Sequence, residues 1–130
     1  MIGLIVTGHG NFATGITSSL RLIVGEISDY EAVDFLPEDS IEMLTEKLKN
    51  AAARLEGCSS ILVLTDLAGG SPYNVASKLR MERKDTMEVI AGINLAALIE
   101  AGMGRESAAD AKELVQTVQE TAKEQVIRFL

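Results

Sequence analysis

Short apolar runs alternate with longer segments of helical periodicity along this chain, and this alternation restricts the fold more than any other sequence feature. Such an order is typical of βαβ units, in which parallel strands are joined by helices that cover both faces of one sheet. We predict an α/β fold with an open, mainly parallel sheet of strand order 2-1-3-4. The predicted strands span residues 2–7, 30–36, 61–65, 87–91 and 126–129.

Boundary signals mark two of the intervening helices and the end of the chain. Ser71 is predicted as the N-cap of the third helix with Pro72 at its first position, and Ser107 as the cap of the fifth helix. Residues 126–129 follow a long helix directly, so they form either a frayed terminus or a strand. As a strand, they are expected to be antiparallel and exchanged between the subunits of a homodimer, because an exposed sheet edge favours pairing.

Composition excludes several classes of protein. A length of 130 residues predicts a single domain, residues 1–130. No apolar stretch reaches the roughly 20 residues of a transmembrane helix, and the first residues lack the basic flank of a signal peptide, so we expect a cytoplasmic protein. The net charge of -7 and pI near 4.7 argue against nucleic acid as a partner.

The chain has one cysteine, Cys58, and one histidine, His9. These numbers exclude an internal disulfide framework and leave too few ligands for a structural zinc site. We expect Cys58 to be an inert, partly buried residue, and we predict neither a metal nor a cofactor.

His9 lies between two glycines where the first predicted strand stops. In a sheet of order 2-1-3-4, the carboxyl ends of the first and third strands flank a crevice where chemistry is usually located. Asp66 follows the third strand, and adjacent strands about 4.8 Å apart bring it within hydrogen-bond reach of His9. A carboxylate bound to one imidazole nitrogen leaves the other as a nucleophile or general base.

The segment after Asp66 contains groups suited to an anion. Gly69 and Gly70 permit close approach of the backbone, while the Ser71 hydroxyl and the amides of a helix start supply hydrogen-bond donors. These residues, together with His9, indicate a histidine that handles a phosphoryl group. Asn94 follows the fourth strand, and we interpret it as a helix cap rather than a residue of this site.

Three other interpretations use the same residues. The fingerprint G-x-G-x-x-A is matched by Gly8, Gly10 and Ala13, with Asp34 beyond it, but a dinucleotide fold needs more strands and His9 would crowd the pyrophosphate. Histidine phosphatases need a preceding arginine and a second histidine, which this chain lacks. A regulatory module switched by phosphorylation of His9 stays open, and onward transfer to an acceptor protein would distinguish it.

Three motifs together resemble the IIA component of the mannose-family sugar phosphotransferase system, which serves mannose, fructose, sorbose or N-acetylgalactosamine. They are Thr-Gly-His-Gly at residues 7–10, Leu-Thr-Asp-Leu-x-Gly-Gly-Ser-Pro-x-Asn at 64–74, and Glu-Val-Ile-Ala-Gly-Ile-Asn-Leu at 88–95. The resemblance covers essentially the whole chain, with the motifs in the family's order.

The resemblance implies a cytoplasmic homodimeric phosphotransferase. HPr would phosphorylate His9 at Nε2, and the group would pass to a IIB component and so indirectly serve the membrane components IIC and IID. Asp66 would bind Nδ1, and Gly70 and Ser71 would lie beside the phosphoryl group. A larger side chain often occupies the position of Ala68.

The phosphotransfer subunit of dihydroxyacetone kinase is a related alternative, and it tends to have serine at the position of Gly8.

In the mannose-type family, a proline often stands at the position of Ala96. Because a IIA protein touches other proteins and never the sugar, the transported sugar is left open.

Overall fold

A four-stranded parallel sheet forms the centre of the computed structural model, which describes residues 1–130. The strand order is β2-β1-β3-β4, which confirms the predicted order 2-1-3-4. The strands are β1 (Ile2–His9), β2 (Tyr30–Phe35), β3 (Ser60–Thr65) and β4 (Met87–Ile90). β1 is two residues longer than predicted because β2 pairs with it as far as His9, opposite Phe35.

Five helices cover both faces of the sheet, as the alternation in sequence predicts. They are α1 (Phe12–Val24), α2 (Ile41–Arg54), α3 (Ser71–Arg83), α4 (Leu95–Gly104) and α5 (Ala111–Glu124), with a 3-10 turn at Lys84–Thr86. Helices α1, α4 and α5 pack on one face, and α2 and α3 pack on the other. None of them combines the length and apolar character needed to cross a bilayer.

Alternation of side chains along β1 divides the core into two layers. Leu4 and Val6 join the layer beneath α1, α4 and α5, whereas Ile5 joins the layer beneath α2 and α3. Residues 2–8 are all buried, which is typical of a central strand in a parallel sheet with two covered faces. His9 is the first side chain of β1 to emerge from the core, so its position at the carboxyl edge follows directly from where the apolar run stops.

Two predicted helix caps are wrong. The N-cap of α3 is Gly70, in an extended conformation, and Ser71 is the first helical residue. The Gly70 carbonyl already accepts the amide of Asn74 at 2.9 Å, so the helix begins one residue earlier than predicted. α5 is capped by Asp110 rather than Ser107.

The side chain of Asp110 accepts the amide of Glu113 at 2.9 Å. Ser107 instead lies in the turn after α4, where its amide donates to the carbonyl of Gly104 at 3.1 Å. Serine and aspartate are about equally favourable as N-caps, so cap preference alone does not distinguish Ser107 from Asp110 as the start of α5.

Residues 126–130 adopt no regular structure in the single chain. Val126, Ile127, Phe129 and Leu130 are each at least 76% exposed, although they are apolar. The predicted fifth strand is therefore absent within one subunit. Antiparallel exchange of this segment between two subunits stays a prediction.

Candidate functional site

His9 and Asp66 meet at the carboxyl edge of the sheet. The Nδ1 atom of His9 lies 2.8 Å from Oδ2 of Asp66, and the backbone amide of His9 donates to the same oxygen at 2.9 Å. β1 and β3 are adjacent and parallel, which brings the last residue of one strand beside the residue that follows the other. The predicted proximity is confirmed, and the amide contact is an addition that sequence reasoning missed.

The protonation state of this pair follows from the surroundings of Asp66. Burial by itself raises the pKa of the Asp66 carboxyl, but hydrogen bonds from the amide and ring of His9, the charge of that ring and the amide of Leu67 together lower it below its ordinary value. Asp66 is therefore a carboxylate at neutral pH, and an ionised carboxylate can only accept hydrogen bonds. The proton between the two residues accordingly belongs to Nδ1 of His9.

The second ring nitrogen, Nε2, has no hydrogen-bond partner within the chain. The side chain of His9 is 46% exposed, whereas that of Asp66 is 15% exposed. A neutral ring with hydrogen on Nδ1 carries a lone pair on Nε2. The site thus consists of a sheltered carboxylate and a partly exposed imidazole whose Nε2 is unpaired.

Gly70 approaches the imidazole so closely that no other residue fits there. A Cβ atom on Gly70 would lie 2.7 Å from Cε1 and 3.3 Å from Nε2 of His9. Both distances are shorter than ordinary carbon contacts, so the backbone at the start of α3 packs against the edge of the ring that bears Nε2. Of the residues predicted to surround a phosphoryl group, Gly70 is in direct contact with His9.

Gly8 is a second position at the site where only glycine allows the observed close packing. A Cβ atom there would lie 2.5 Å from Cδ2 of Phe12 and 2.9 Å from Cγ of Asp66. The first turn of α1 and the Asp66 carboxyl therefore close against β1 only because Gly8 has no side chain.

The start of α3 presents free hydrogen-bond donors next to Gly70. The amides of Ser71 and Tyr73 and the hydroxyl of Ser71 donate no hydrogen bond within the chain, and no side chain caps the helix. Asn74 holds the preceding loop in place through a bond from its Nδ2 to the carbonyl of Gly69 at 3.0 Å. Unpaired amides and the helix dipole make this end of α3 suitable for an anion.

Phe35 is a residue of the site that sequence reasoning missed. Its ring centroid lies 6.0 Å from that of His9, with an angle of 63° between the planes. Phe35 is the register partner of His9 in β2. The available signal was the parallel pairing itself, since Phe35 lies near the end of the predicted second strand (residues 30–36), which is adjacent to the first.

Other candidate residues have structural roles. Both carboxylate oxygens of Asp34 accept hydrogen bonds from Thr14, at 3.0 Å from its amide and 2.7 Å from its hydroxyl, so Asp34 holds the first turn of α1. Asn94 caps α4 by accepting the amide of Ala97 at 3.0 Å, which confirms its interpretation as a helix cap.

Neither cysteine chemistry nor a cluster of metal ligands is evident near His9. Burial, followed by the charge of the nearby Asp29, raises the pKa of the Cys58 thiol, which disfavours the reactive thiolate. The structure contains no group of three or more His, Cys, Asp or Glu side chains that could hold a metal ion.

Comparisons with known proteins agree on one family. A family model described as "PTS system fructose IIA component" matches residues 3–119. The chain is 36% identical over 100 residues to the fructose-specific EIIA component of the phosphotransferase system (PTS) of Bacillus subtilis, covering 77% of this chain and 68% of the relative. It is 34% identical over 125 residues to the mannose-specific EIIAB component of Escherichia coli K12, covering 96% of this chain. The chain spans 38% of the length of that second relative.

Solved structures agree with these sequence matches. The crystal structure of phosphotransferase component EIIA from Streptococcus agalactiae superposes with a TM-score of 0.92 at 36% identity, covering 99% of this chain and 98% of the other. The mannose/sorbose-specific IIA subunit from Enterococcus faecalis superposes with a TM-score of 0.84 at 33% identity, covering 98% and 94%.

Proposed function

Because this chain belongs to the IIA components of the mannose-family sugar phosphotransferase system, we propose that it carries a phosphoryl group from HPr to a cognate IIB component. His9 is the carrier residue in this proposal. IIA components are phosphotransferases, so the protein is an enzyme whose covalent intermediate is a phosphohistidine. Residues 1–130 act as one IIA domain, and its exchange with HPr and IIB takes place in the cytoplasm.

One observation carries the proposal: Nδ1 of His9 is bound to an ionised Asp66, while Nε2 is free and the ring is 46% exposed. Asp66 selects the tautomer whose lone pair is on Nε2 and orients that nitrogen outward. A docked protein can therefore reach the nucleophile, whereas the carboxylate that orients it stays sheltered.

The transfer requires one bond to form and one to break. Nε2 attacks phosphorus as the bond between phosphorus and the nitrogen of the HPr phosphohistidine breaks, in line and through a loose transition state. The Nδ1 proton remains on the His9 ring, and the Asp66 carboxylate balances the positive charge that the ring acquires. Reversal of the same step, with a IIB nucleophile as the attacking group, releases the phosphoryl group from His9.

The start of α3 stabilises the transferred phosphoryl group in this proposal. Gly70 packs against the ring edge that bears Nε2, and the unpaired amides of Ser71 and Tyr73 begin the helix there. These oriented amides stabilise the negative charge that spreads over the phosphoryl oxygens in the transition state. They need no rearrangement during the reaction. The Ser71 hydroxyl adds a further donor.

The assembly around the domain belongs to the same proposal. Two copies form a homodimer through exchange of residues 126–129, and IIB hands the phosphoryl group on toward sugar bound by IIC and IID. The chain contacts only proteins in this sequence of steps. The membrane components therefore select the sugar.

The related phosphotransfer subunit of dihydroxyacetone kinase is the second candidate, and one observation disfavours it. That subunit tends to have serine where this chain has Gly8. A Cβ atom at Gly8 would lie 2.5 Å from Phe12 and 2.9 Å from Asp66, so this site is built around glycine.

Phosphorylation in a reconstituted system tests the proposal. The wild-type protein and a His9→Ala variant are incubated with labelled phosphoenolpyruvate, enzyme I and HPr, and circular dichroism checks that both are folded. We expect acid-labile, base-stable label on the wild type only. A cognate IIB component then removes the label, whereas a regulatory module would retain it. Equal labelling of the His9→Ala variant would refute the proposal.

A further inference from the structure

Phe35 contacts the imidazole of His9 although it belongs to none of the sequence motifs that mark the site. We propose that Phe35 is a positioning residue, which fixes the tilt of the His9 ring so that Nε2 faces the incoming phosphoryl group. The inference rests on the proposed phosphocarrier function of His9.

A single hydrogen bond does not fix the orientation of an imidazole. The bond from Nδ1 to Asp66 holds one ring atom, but the torsion between Cβ and an aromatic ring has a broad energy minimum. Gly70 limits rotation only on the side of Cε1 and Nε2. A further contact is needed to hold the ring against Gly70.

Phe35 supplies that contact. The centroid separation of 6.0 Å and the interplanar angle of 63° describe an edge-to-face aromatic pair, the arrangement that such rings prefer. Asp66, Gly70 and Phe35 belong to three different parts of the fold, namely the end of β3, the start of α3 and the end of β2. The ring is thus held between three separate elements of the fold.

The position of Phe35 is fixed independently of any ligand. Its carbonyl accepts the amide of Gly10 at 2.7 Å, immediately after His9, and its backbone pairs with His9 itself. Its side chain packs against the core layer beneath α2 and α3, which includes Val33 and Leu44. The ring of Phe35 is therefore held in place before any ligand binds. A residue outside the reacting bond can affect the rate strongly when it positions a reacting group, here the imidazole of His9.

The test compares Phe35→Leu, which removes the aromatic ring, with Phe35→Tyr, which keeps it. Transfer from phosphorylated HPr is measured over a range of HPr concentrations to separate kcat from KM. Ring orientation is read in the unphosphorylated protein from the nuclear Overhauser effect between the Cε1 proton of His9 and the α-protons of Gly70. Leu22→Ala is the control, because Leu22 is 88% exposed and lies outside the segment proposed to exchange between subunits.

We expect Phe35→Leu to lower kcat about 10-fold or more with little change in KM, and to weaken the His9–Gly70 cross-peak. Phe35→Tyr should keep both kcat and the cross-peak near their wild-type values, and Leu22→Ala should match the wild type. Unchanged kcat and cross-peak in Phe35→Leu would overturn the inference. So would a raised KM with unchanged kcat, which would identify Phe35 as a docking contact.

A replacement variant and the wild-type control keep the test decisive. If Phe35→Leu unfolds, as judged by thermal denaturation, Phe35→Met replaces it, since methionine fills a similar space without a ring. If the wild type itself accepts no phosphoryl group, the proposed function fails, whereas a normal wild type with an unaffected Phe35→Leu variant refutes only the inference about Phe35.

Discussion

The Nδ1 atom of His9 lies 2.8 Å from Oδ2 of Asp66, although the two residues are 57 positions apart in the chain. The fold creates this contact by placing β1 and β3 side by side and ending them at the same edge. Because the Asp66 carboxylate accepts hydrogen bonds from both the ring and the amide of His9, it fixes the His9 side chain relative to the His9 backbone. The reactivity proposed for Nε2 depends on this arrangement.

Replacement of Asp66 by asparagine tests the orienting role. Asp66→Asn keeps the size of the side chain but removes its charge, so the ring tautomer is no longer selected and the positive charge formed during transfer is not balanced. We expect the rate of transfer from HPr to fall roughly 100-fold, with HPr affinity unchanged by calorimetry. An unaltered transfer rate would show that Asp66 does not orient His9.

The free energy of unfolding at acid pH should depend on the ionisation of Asp66. The folded protein lowers the pKa of Asp66, so its contribution to the free energy of unfolding is fully present above the unfolded pKa near 3.9 and is lost as pH falls through the lowered folded value. We expect the stability difference between wild type and Asp66→Asn in urea to shrink as pH falls below about 4. A difference that stays constant from pH 6 to pH 2.5 would contradict the lowered pKa.

A methyl group at Gly70 should disturb the site without unfolding the protein. Gly70→Ala places a Cβ atom 2.7 Å from Cε1 of His9, so the ring must move away from the start of α3. We expect transfer to slow about 10-fold or more. Gly15→Ala is the control, because a Cβ at this helical position meets nothing within 4 Å.

The Gly15→Ala control should transfer at the wild-type rate and gain about 0.5–1 kcal/mol in stability. Equal rates for Gly70→Ala and wild type would argue against close packing of α3 on the ring. Rates are measured by rapid quench, and stabilities by urea unfolding.

Much of this arrangement could be predicted from sequence because it depends on periodicity. Apolar runs of strand length, separated by helical segments, predict a parallel sheet, and in a sheet of order 2-1-3-4 the residues at the strand ends predict that His9 and Asp66 converge. Asn94 was interpreted as a helix cap for the same local reason, namely an amide side chain just before a helical pattern. The strands, helices and caps are encoded by residues close together in the chain, and the parallel βαβ arrangement then brings distant strand ends together.

Features that depend on the detailed packing of one element against another could not be predicted. The close approach of Gly70 to His9 is invisible in sequence, since a glycine that avoids a clash looks like a glycine in any turn. The sequence predicts only that Phe35 belongs to a strand, because its contact with His9 depends on how far β1 and β2 stay paired. The shift of the α5 cap from Ser107 to Asp110 shows that local signals cannot choose between two neighbouring caps.

Removal of the apolar tail tests the proposed dimer. Val126 and Phe129 are 83% and 95% exposed in the single chain, so burial against a second subunit would release water from a substantial apolar surface. We expect the full chain to sediment as a dimer and a truncation after Lys123 to sediment as a monomer at the same concentration. A truncated protein that remains an unchanged dimer would refute strand exchange.

The most direct test of the central claim is nuclear magnetic resonance of the protein phosphorylated through HPr. Correlation of the phosphorus signal with the imidazole protons and nitrogens identifies the atom that carries the group. We predict a single phosphohistidine, with phosphorus on Nε2 of His9 and hydrogen on Nδ1. Phosphorus on Nδ1, or on any residue other than His9, would contradict it.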